Sequence, residues 1–322
     1  MTTPVRSPRR GKKRVGSRRR PVGQRIGRAP AIQRVAAAVV KAALGAVESL
    51  GSERALCWAL RLVKVAAPIL PETRMARASI AAAFPEKSAA ERNAILDGAW
   101  ETFARVLVEF VFLEELAASF DPAHPNEGRV TISGLNEFAA LRDDGKPGII
   151  VAAHLANWEI LSVVAQKFGL KTVIPYRAPA NIRVAEEVLG RRAALMGTLV
   201  DNSRGASFEL AAALDAGGHL GMLVDQRLNK GIDIPFFGRP ARTNPLAARL
   251  ARQYDCPVYA ARAIRRPDNG LHLELTGPLD LPRDGEGLID VHGAMAAVNN
   301  LVEAWVREHP EQWFWLHDRW KH

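Results

Sequence analysis

From Val130 onward the sequence alternates short apolar runs with segments of helical length. The runs are "RVTIS", "GIIVAA", "KTVIPY", "GTLVD", "HLGMLVD" and "CPVYAARAI". The helical segments between them fall near residues 155 to 168, 180 to 196, 205 to 216 and 243 to 254. Continuous apolar strands joined by helices are typical of a parallel sheet that is buried on both faces. The pattern therefore predicts an α/β fold with a mostly parallel sheet and helices on both faces, over residues 121 to 322.

The preceding residues 31 to 120 predict a helical extension. Helices are expected at 32 to 49, 53 to 67 and 73 to 83, and a longer one begins after Ser88. Ser88 followed by Glu91 has the spacing of a capping box, and the helix is expected to run to about residue 117. The first two helices carry broad apolar faces, which fit either a membrane interface or packing against the rest of the protein. Charged residues interrupt every long apolar stretch, so a spanning helix is not predicted.

The first thirty residues carry most of the positive charge. Eleven Lys and Arg residues and no acidic residue precede residue 31, and without them the formal charge falls from +10 to −1. With Pro, Gly and Ser in between, this segment predicts a solvated tail. Its partner is either nucleic acid, an anionic membrane surface at roughly 1 kcal/mol per basic residue, or no strong partner at all. The remainder lacks the basic face and aromatic residues of a nucleic-acid-binding domain, so no nucleic acid is expected.

The two cysteines, Cys57 and Cys256, lie far apart among apolar neighbours and without the spacing of metal ligands. This pattern predicts buried thiols in a reducing compartment and no metal site. The tail is not followed by the apolar core and cleavage site of a signal peptide, so export is not expected.

The candidate catalytic residue is His154, which follows the predicted strand "GIIVAA". Ligands of open α/β sheets bind at the carboxyl ends of the strands, where both His154 and Asp225 are expected. Glu159 lies five residues after His154, and on one helix the two side chains would point about 140° apart. The pair can meet only if His154 lies on the turn before the helix. A carboxylate bound to one ring nitrogen would then fix the tautomer and make the other nitrogen a base. A purely structural histidine is the alternative.

Two common hydrolase motifs are absent from the sequence, which limits the types of reaction predicted for His154. The sequence contains no G-x-S-x-G and no H-E-x-x-H, so neither a serine hydrolase nor a zinc protease of those types is predicted. A histidine with a carboxylate and no protein nucleophile suits direct transfer, in which an acceptor hydroxyl attacks an activated acyl group.

Three further stretches carry specific motifs: "RGASFELAAALDAGGHLGMLVDQ", "LVDQRLNKGIDIPFFGRPARTNPLAARLAR" and "HPEQWFWLHDRWKH". Together they resemble the lipid A biosynthesis acyltransferases, the late acyltransferases of lipopolysaccharide assembly in the lysophospholipid acyltransferase superfamily. The earlier "SIAAAFPEKSAAERNAILDGAWETFARVLVEF" is also similar, so the resemblance covers residues 40 to 322 approximately. It implies a glycerolipid-acyltransferase-like fold and transfer of a fatty acyl chain from acyl carrier protein to a hydroxyl of a lipid A precursor. It places that reaction at the cytoplasmic face of the inner membrane, with no cofactor or metal.

The resemblance also implies roles for particular residues. His154 would be the general base and Glu159 its orienting partner, and Asp225 and Gln226 would belong to the substrate site. Further matches of the family pattern are Tyr176 with Arg177, Arg191 (or the adjoining Arg192), and Arg204 with Gly205. The three arginines Arg177, Arg191 and Arg204 would bind phosphates of the acceptor or of the phosphopantetheine arm, because guanidinium pairs with phosphate in a bidentate way; surface ion pairs are the alternative. Asp225 would anchor these arginines, bind acceptor hydroxyls or cap the following loop.

Aromatic residues near the carboxyl end have two interpretations. Phe236 and Phe237 would be walls for acyl chains or ordinary core. Trp313, Trp315 and Trp320 would be interfacial anchors or core, and His317 is taken as structural. Two other functions compete with the main one. They are acyl transfer to another membrane glycolipid, such as a phosphatidylinositol mannoside, and a non-catalytic protein that binds lipid or nucleic acid. The chain departs from the family in its weak first membrane segment and in its added basic tail.

Overall fold

The computed structural model describes residues 30–177, 181, 190, 195–202 and 205–320. The basic tail and most of the helix expected at 180 to 196 lie outside this range. The helices are α1 (Pro30–Leu50), α2 (Ser52–Ala66), α3 (Pro71–Ala83), α4 (Ala89–Val111), α5 (Leu113–Ala118), α6 (Leu135–Asp143), α7 (Glu159–Lys167), α8 (Ala206–Asp215), α9 (Leu246–Tyr254) and α10 (Val291–Glu308). The strands are β1 (Val130–Ser133), β2 (Gly148–Ala152), β3 (Thr172–Tyr176), β4 (Thr198–Asp201), β5 (His219–Leu223), β6 (Arg227–Phe236), β7 (Arg239–Thr243), β8 (Val258–Arg265) and β9 (Leu271–Thr276).

Seven strands form one sheet in the order β1-β9-β8-β2-β5-β3-β4. Among the described strand pairs of this sheet, only β8 and β9 are antiparallel. Strands β6 and β7 form a separate antiparallel hairpin. The central strand β2 is buried on both faces: Ile149 and Val151 join the largest hydrophobic core, and Ile150 packs in a second cluster with Leu170. This double burial explains why the strand reads as an unbroken apolar run. The predicted α/β fold with a mostly parallel, helix-covered sheet is confirmed.

Helix α4 begins at the predicted capping box. The Ser88 hydroxyl accepts a hydrogen bond from the Glu91 backbone at 3.3 Å, and the Glu91 carboxylate accepts one from the Ser88 backbone at 2.7 Å. These two bonds satisfy donors that a helix start otherwise leaves free. The single long helix that we expected is divided, because the chain bends at Phe112 between α4 and α5.

The helical extension shares its core with the sheet. Ile80, Phe84 and Trp100 belong to the same buried cluster as Ile149 and Val151 of β2. Helix α4 also contacts the carboxyl-terminal segment, since the Thr102 hydroxyl donates a hydrogen bond to the Glu311 carbonyl at 3.1 Å. The packing of α3 and α4 is therefore part of what holds the sheet in place.

Helices α1 and α2 are largely exposed. None of the α1 side chains described from residue 33 to 50 is buried. Within the described residues, no helix alone has the length and apolar character needed to cross a bilayer, although α1 and α2 meet that requirement jointly, with a bend of 117° between them.

The tryptophans near the carboxyl end are core residues. Trp313, Trp315 and Trp320 are 2%, 0% and 9% exposed and pack with Phe236 and Phe237. Of the two interpretations weighed for these five aromatic residues, the structure shows core packing. The expectation of two buried thiols is wrong for one of them: Cys256 is buried, but Cys57 is exposed on α2. The adjoining Trp58 is also exposed, whereas Ala55 is buried, so Cys57 lies on the outward-facing side of α2.

Candidate active site

The site forms where β2 and β5 end side by side. Ala152 of β2 pairs with Leu223 of β5, and the Val224 backbone donates a hydrogen bond to the Ala152 carbonyl at 3.0 Å. His154 lies on the turn between β2 and α7, so it faces Asp225 across this edge. The two residues form two hydrogen bonds: His154 Nδ1 lies 2.7 Å from Asp225 Oδ1, and the His154 backbone N–H donates to Asp225 Oδ2 at 2.8 Å.

Asp225 is buried and ionised. It is 3% exposed, and it accepts a third hydrogen bond, from Trp313 Nε1 at 2.8 Å. Burial by itself raises the pKa of a carboxyl group, but the charge and hydrogen bonds of His154 and the Trp313 bond outweigh it and lower the pKa of Asp225 to about 2. An ionised carboxylate only accepts hydrogen bonds. His154 Nδ1 must therefore carry a proton, and Nε2 of the neutral ring has a free lone pair.

The lone pair of His154 faces the outer side of the site. The side-chain nitrogen of Gln226, which is exposed, lies 3.1 Å from His154 Nε2 and donates to it in this tautomer. The rings of Trp158 and Phe314 flank the imidazole, with centroids 4.8 Å and 6.0 Å away. A substrate hydroxyl that displaces the Gln226 amide would meet the basic nitrogen directly. The arrangement can act as a general base.

Glu159 occupies a different position from the one we expected. It is the first residue of α7 and is buried; its backbone donates to Asn157 Oδ1 at 3.1 Å, and its carboxylate accepts from Trp158 Nε1 at 3.2 Å. The bond at His154 Nδ1 that we assigned to Glu159 is made to Asp225 instead. The reason is the strand order, because β5 is the neighbour of β2 and delivers its carboxylate to the ring. A role for Glu159 in catalysis stays a prediction.

An apolar cavity begins beside the imidazole. Trp158 and Glu159 lie at one end of its wall, Ile150 and Gly221 lie along the sheet, and Leu141 lies near the amino end of β2. The cavity thus lies between α7 and the sheet. Apolar side chains form most of its surface. Such a lining favours a hydrocarbon over a polar ligand.

Of the three arginines predicted to bind phosphate, the structure describes one. Arg177 follows β3 and is exposed, while Arg191 and Arg204 lie outside the described residues. The observed bonds of the Asp225 carboxylate are to His154 and Trp313, and its role in anchoring the arginines stays a prediction because Arg191 and Arg204 are not described. His317 is half-buried, and its Nε2 accepts a hydrogen bond from the Arg227 backbone at 3.1 Å, in keeping with a structural role. Burial lowers the pKa of His317, which favours its neutral form.

Sequence reasoning missed the contribution of the carboxyl-terminal segment. Besides the Trp313 bond to Asp225, the Phe314 backbone donates to the His154 carbonyl at 3.0 Å, and the Ala156 backbone donates to the Gln312 carbonyl at 2.9 Å. These contacts fix the turn that carries His154. The dense aromatic run "QWFWLHDRW" was the available signal, but it does not reveal that one indole N–H donates to the Asp225 carboxylate.

Among the described residues, no group of three His, Cys, Asp or Glu side chains could hold a metal ion. The fold and the site thus define an α/β protein with a carboxylate-held imidazole at the edge of a mostly parallel sheet, next to an apolar cavity. The sequence matches the family of bacterial lipid A biosynthesis acyltransferases over residues 32–322, and the chain belongs to this family. The resemblance noted from its motifs is confirmed, and membership indicates an acyltransferase of the lipid A type. Comparison with curated protein sequences gives no match.

Proposed function

We propose that this protein transfers a fatty acyl chain from acyl carrier protein to a hydroxyl of a lipid A precursor, with His154 as the general base and Asp225 as its orienting partner. The observation that carries the proposal is the Asp225–His154 pair beside an apolar cavity in a chain of this family. The hydrogen bond to Asp225 leaves the lone pair on His154 Nε2, which is the nitrogen that faces the entry side of the site.

The reaction balances with this single base. His154 Nε2 takes the proton of the acceptor hydroxyl as the oxygen forms a bond to the thioester carbonyl carbon. The carbon–sulfur bond then breaks, and the imidazolium returns the proton to the departing thiolate. Asp225 stabilises the charged ring between the two steps, because it remains an anion throughout.

The cavity supports a fatty chain as the group transferred. Each methylene removed from water contributes about 0.8 kcal/mol, so this apolar wall can retain the acyl chain while its carbonyl carbon lies near Trp158. Exposed Arg177 follows β3, whose neighbour in the sheet is β5. Its guanidinium is therefore at the same edge of the sheet as His154, where it would bind a phosphate of the donor arm or of the acceptor.

The deciding experiment is mass spectrometry of lipid A from cells with and without this protein, joined to an assay of the purified protein with acyl-acyl carrier protein and a lipid A precursor. We expect lipid A to lose one acyl group in the deleted cells, and His154→Ala to abolish transfer. His124→Ala is the matched control, since His124 forms a 2.8 Å pair with Asp121 on the open surface. If another glycolipid loses the acyl group, the proposed acceptor is wrong. If the acylation of all lipids is unchanged in the deleted cells, the proposed acyl transfer by this protein is wrong.

We also propose that helix α2 places the protein on the anionic cytoplasmic surface of the inner membrane. Trp58, Leu62 and Val65 are 60%, 68% and 77% exposed. At 100° per residue these three side chains lie within about 60° of one another and form one apolar stripe. Arg54 and Arg61 flank the stripe, and the Arg61 guanidinium lies over the Trp58 ring at 5.6 Å. An apolar stripe with a basic border is the composition that interfacial helices use on anionic lipid.

Vesicle sedimentation tests this second proposal. The full chain should bind vesicles that contain anionic lipid more strongly than neutral vesicles, and added salt should weaken the binding because it screens exposed charges. Leu62→Ser should reduce binding several-fold, whereas Leu288→Ser, an exposed leucine outside α2, should not. Equal binding by the two variants would remove α2 from the membrane contact. Deletion of residues 1 to 29 measures the share of the basic tail.

A further inference from the structure

A buried ion pair lies behind the turn that carries His154. Glu109 of α4 accepts two hydrogen bonds from the Arg265 guanidinium at the end of β8, at 2.8 and 2.7 Å. The two side chains are 9% and 8% exposed. Burying such a pair has a large desolvation cost, which is offset only when the remaining polar atoms are also bonded. One such bond, from Asn157 to Glu109, leads to the active site, whereas Arg265 Nε is buried without a hydrogen-bond partner among the described residues.

Asn157 connects the ion pair to the first turn of α7. Its side chain is almost completely buried; Nδ2 donates to Glu109 Oε2 at 2.9 Å, and Oδ1 accepts from the Glu159 backbone at 3.1 Å. Because the Glu109 carboxylate only accepts hydrogen bonds, it fixes which end of the Asn157 amide points toward it. Asn157 Oδ1 then points toward the backbone N–H of Glu159, the first residue of α7 and the fifth after His154.

Arg265, the other member of the ion pair, is connected to the same turn through Gln312. The Gln312 side chain bonds both backbone groups of Arg265: Oε1 accepts from the Arg265 N–H at 2.7 Å, and Nε2 donates to the Arg265 carbonyl at 3.1 Å. The Gln312 carbonyl in turn accepts from the Ala156 backbone at 2.9 Å. Ala156 has a φ of 44°, a left-handed conformation that alanine rarely adopts and that its surroundings must impose.

We propose that Glu109 and Asn157 are positioning residues for acyl transfer. Through Asn157 on one side and Arg265 with Gln312 on the other, the ion pair holds residues 154 to 159 in the conformation that directs His154 Nε2 at the acceptor hydroxyl. The pair also joins α4, against which the exposed helix α2 packs, to the base. This inference rests on the proposed function for its kinetic consequence, but the geometry of the turn can be measured without substrate.

Asn157→Ala is the principal test, because it removes both side-chain bonds and leaves the Glu109–Arg265 pair intact. Asn299→Ala is the matched control: Asn299 is equally buried and donates to the Pro235 carbonyl and the Thr243 hydroxyl, both at 3.2 Å, away from the turn. We expect Asn157→Ala to lower kcat by roughly 10- to 100-fold with KM for the acyl donor little changed, since small misplacement of a catalytic group has costs of this order. Asn299→Ala should retain kcat at a similar loss of Tm.

The rate of modification of His154 by diethyl pyrocarbonate, followed by peptide mass spectrometry, gives a readout that needs no substrate. We expect at least a threefold change in that rate in Asn157→Ala and no change at exposed His124 in the same sample. Unchanged His154 reactivity, or equal losses of kcat in the two asparagine variants, would overturn the positioning role. Absence of transfer by the unmodified protein would instead refute the proposed function, so the two failures are distinguishable.

Discussion

Asp225→Asn is the most demanding test of the base, because it changes one charge and almost no volume. Asp225 Oδ2 accepts from both the His154 backbone and Trp313 Nε1, whereas Oδ1 faces His154 Nδ1 alone. An asparagine can satisfy the two donors only with its oxygen in the Oδ2 position. Its NH2 group then faces Nδ1, which must give up its proton and become an acceptor. The ring proton moves to Nε2, the nitrogen that should receive the substrate proton.

The expected size of the effect follows from that change of tautomer. Loss of general-base assistance lowers turnover by about 10² to 10⁴, equivalent to roughly 3 to 5 kcal/mol in the activation barrier. The assay is steady-state transfer with acyl-acyl carrier protein and lipid A precursor, with the folded fraction of each variant measured by thermal melting. Asp233→Asn is the control, since Asp233 pairs with Arg242 at 2.9 Å on the exposed hairpin.

Two results would refute the reasoning. One is an Asp225→Asn variant whose kcat stays within threefold of the Asp233→Asn control. The other is a larger loss in Glu159→Gln than in Asp225→Asn, because the hydrogen bond at Nδ1 belongs to Asp225. In that second case Glu159 would have the orienting role that the family resemblance implies.

Three other outcomes are expected. Gly221→Val should shift preference toward shorter acyl donors in a competition assay, because a side chain at Gly221 extends toward Ile174 in the cavity wall; unchanged chain-length preference would exclude the cavity as the acyl site. In native protein at pH 8 a thiol reagent should label exposed Cys57 quickly and leave Cys256 unlabelled until unfolding, since burial raises the pKa of Cys256 to about 11; two fast thiols would contradict the fold. The lowered pKa of Asp225 should stabilise the protein above pH 4 by about 2 to 3 kcal/mol, an amount lost as the pH falls from about 4 to about 2. In denaturant titrations across this range Asp225→Asn, which does not titrate there, should lack that part of the pH dependence.

Local signals in the sequence predict much of the fold. The apolar run of β2 and the Ser88–Glu91 capping box depend on neighbours close in the chain, and both are found where expected. The hairpin of β6 and β7 and the last sheet strand β9 were not assigned. Strand β9 alternates buried and partly exposed residues in "LHLELT", a period-two signal that was present. The hairpin includes Pro235 and Pro240, which obscure a strand pattern.

The site was predicted only in part, because its main contact spans 71 residues. That His154 ends one strand and Asp225 another follows from apolar runs alone. That these strands are neighbours follows from the sheet order, which no local pattern encodes. Glu159 was expected as the partner because the family resemblance implies that role. At the start of α7, however, its backbone donates to Asn157 and its carboxylate accepts from Trp158. The bond from Trp313 was beyond prediction for the same reason, at a separation of 88 residues.

Residues 310 to 320 are synthesised after every strand of the sheet, and they supply the Trp313, Phe314 and Gln312 contacts described above. During synthesis, the residues that line the apolar cavity are therefore added before the segment whose contacts fix the turn of His154. A chain interrupted before residue 310 would lack the three buried tryptophans of the core and would leave Asp225 and the turn without these contacts. Within the described residues, the contacts that hold His154 and Asp225 are thus completed by the segment that follows every strand of the sheet.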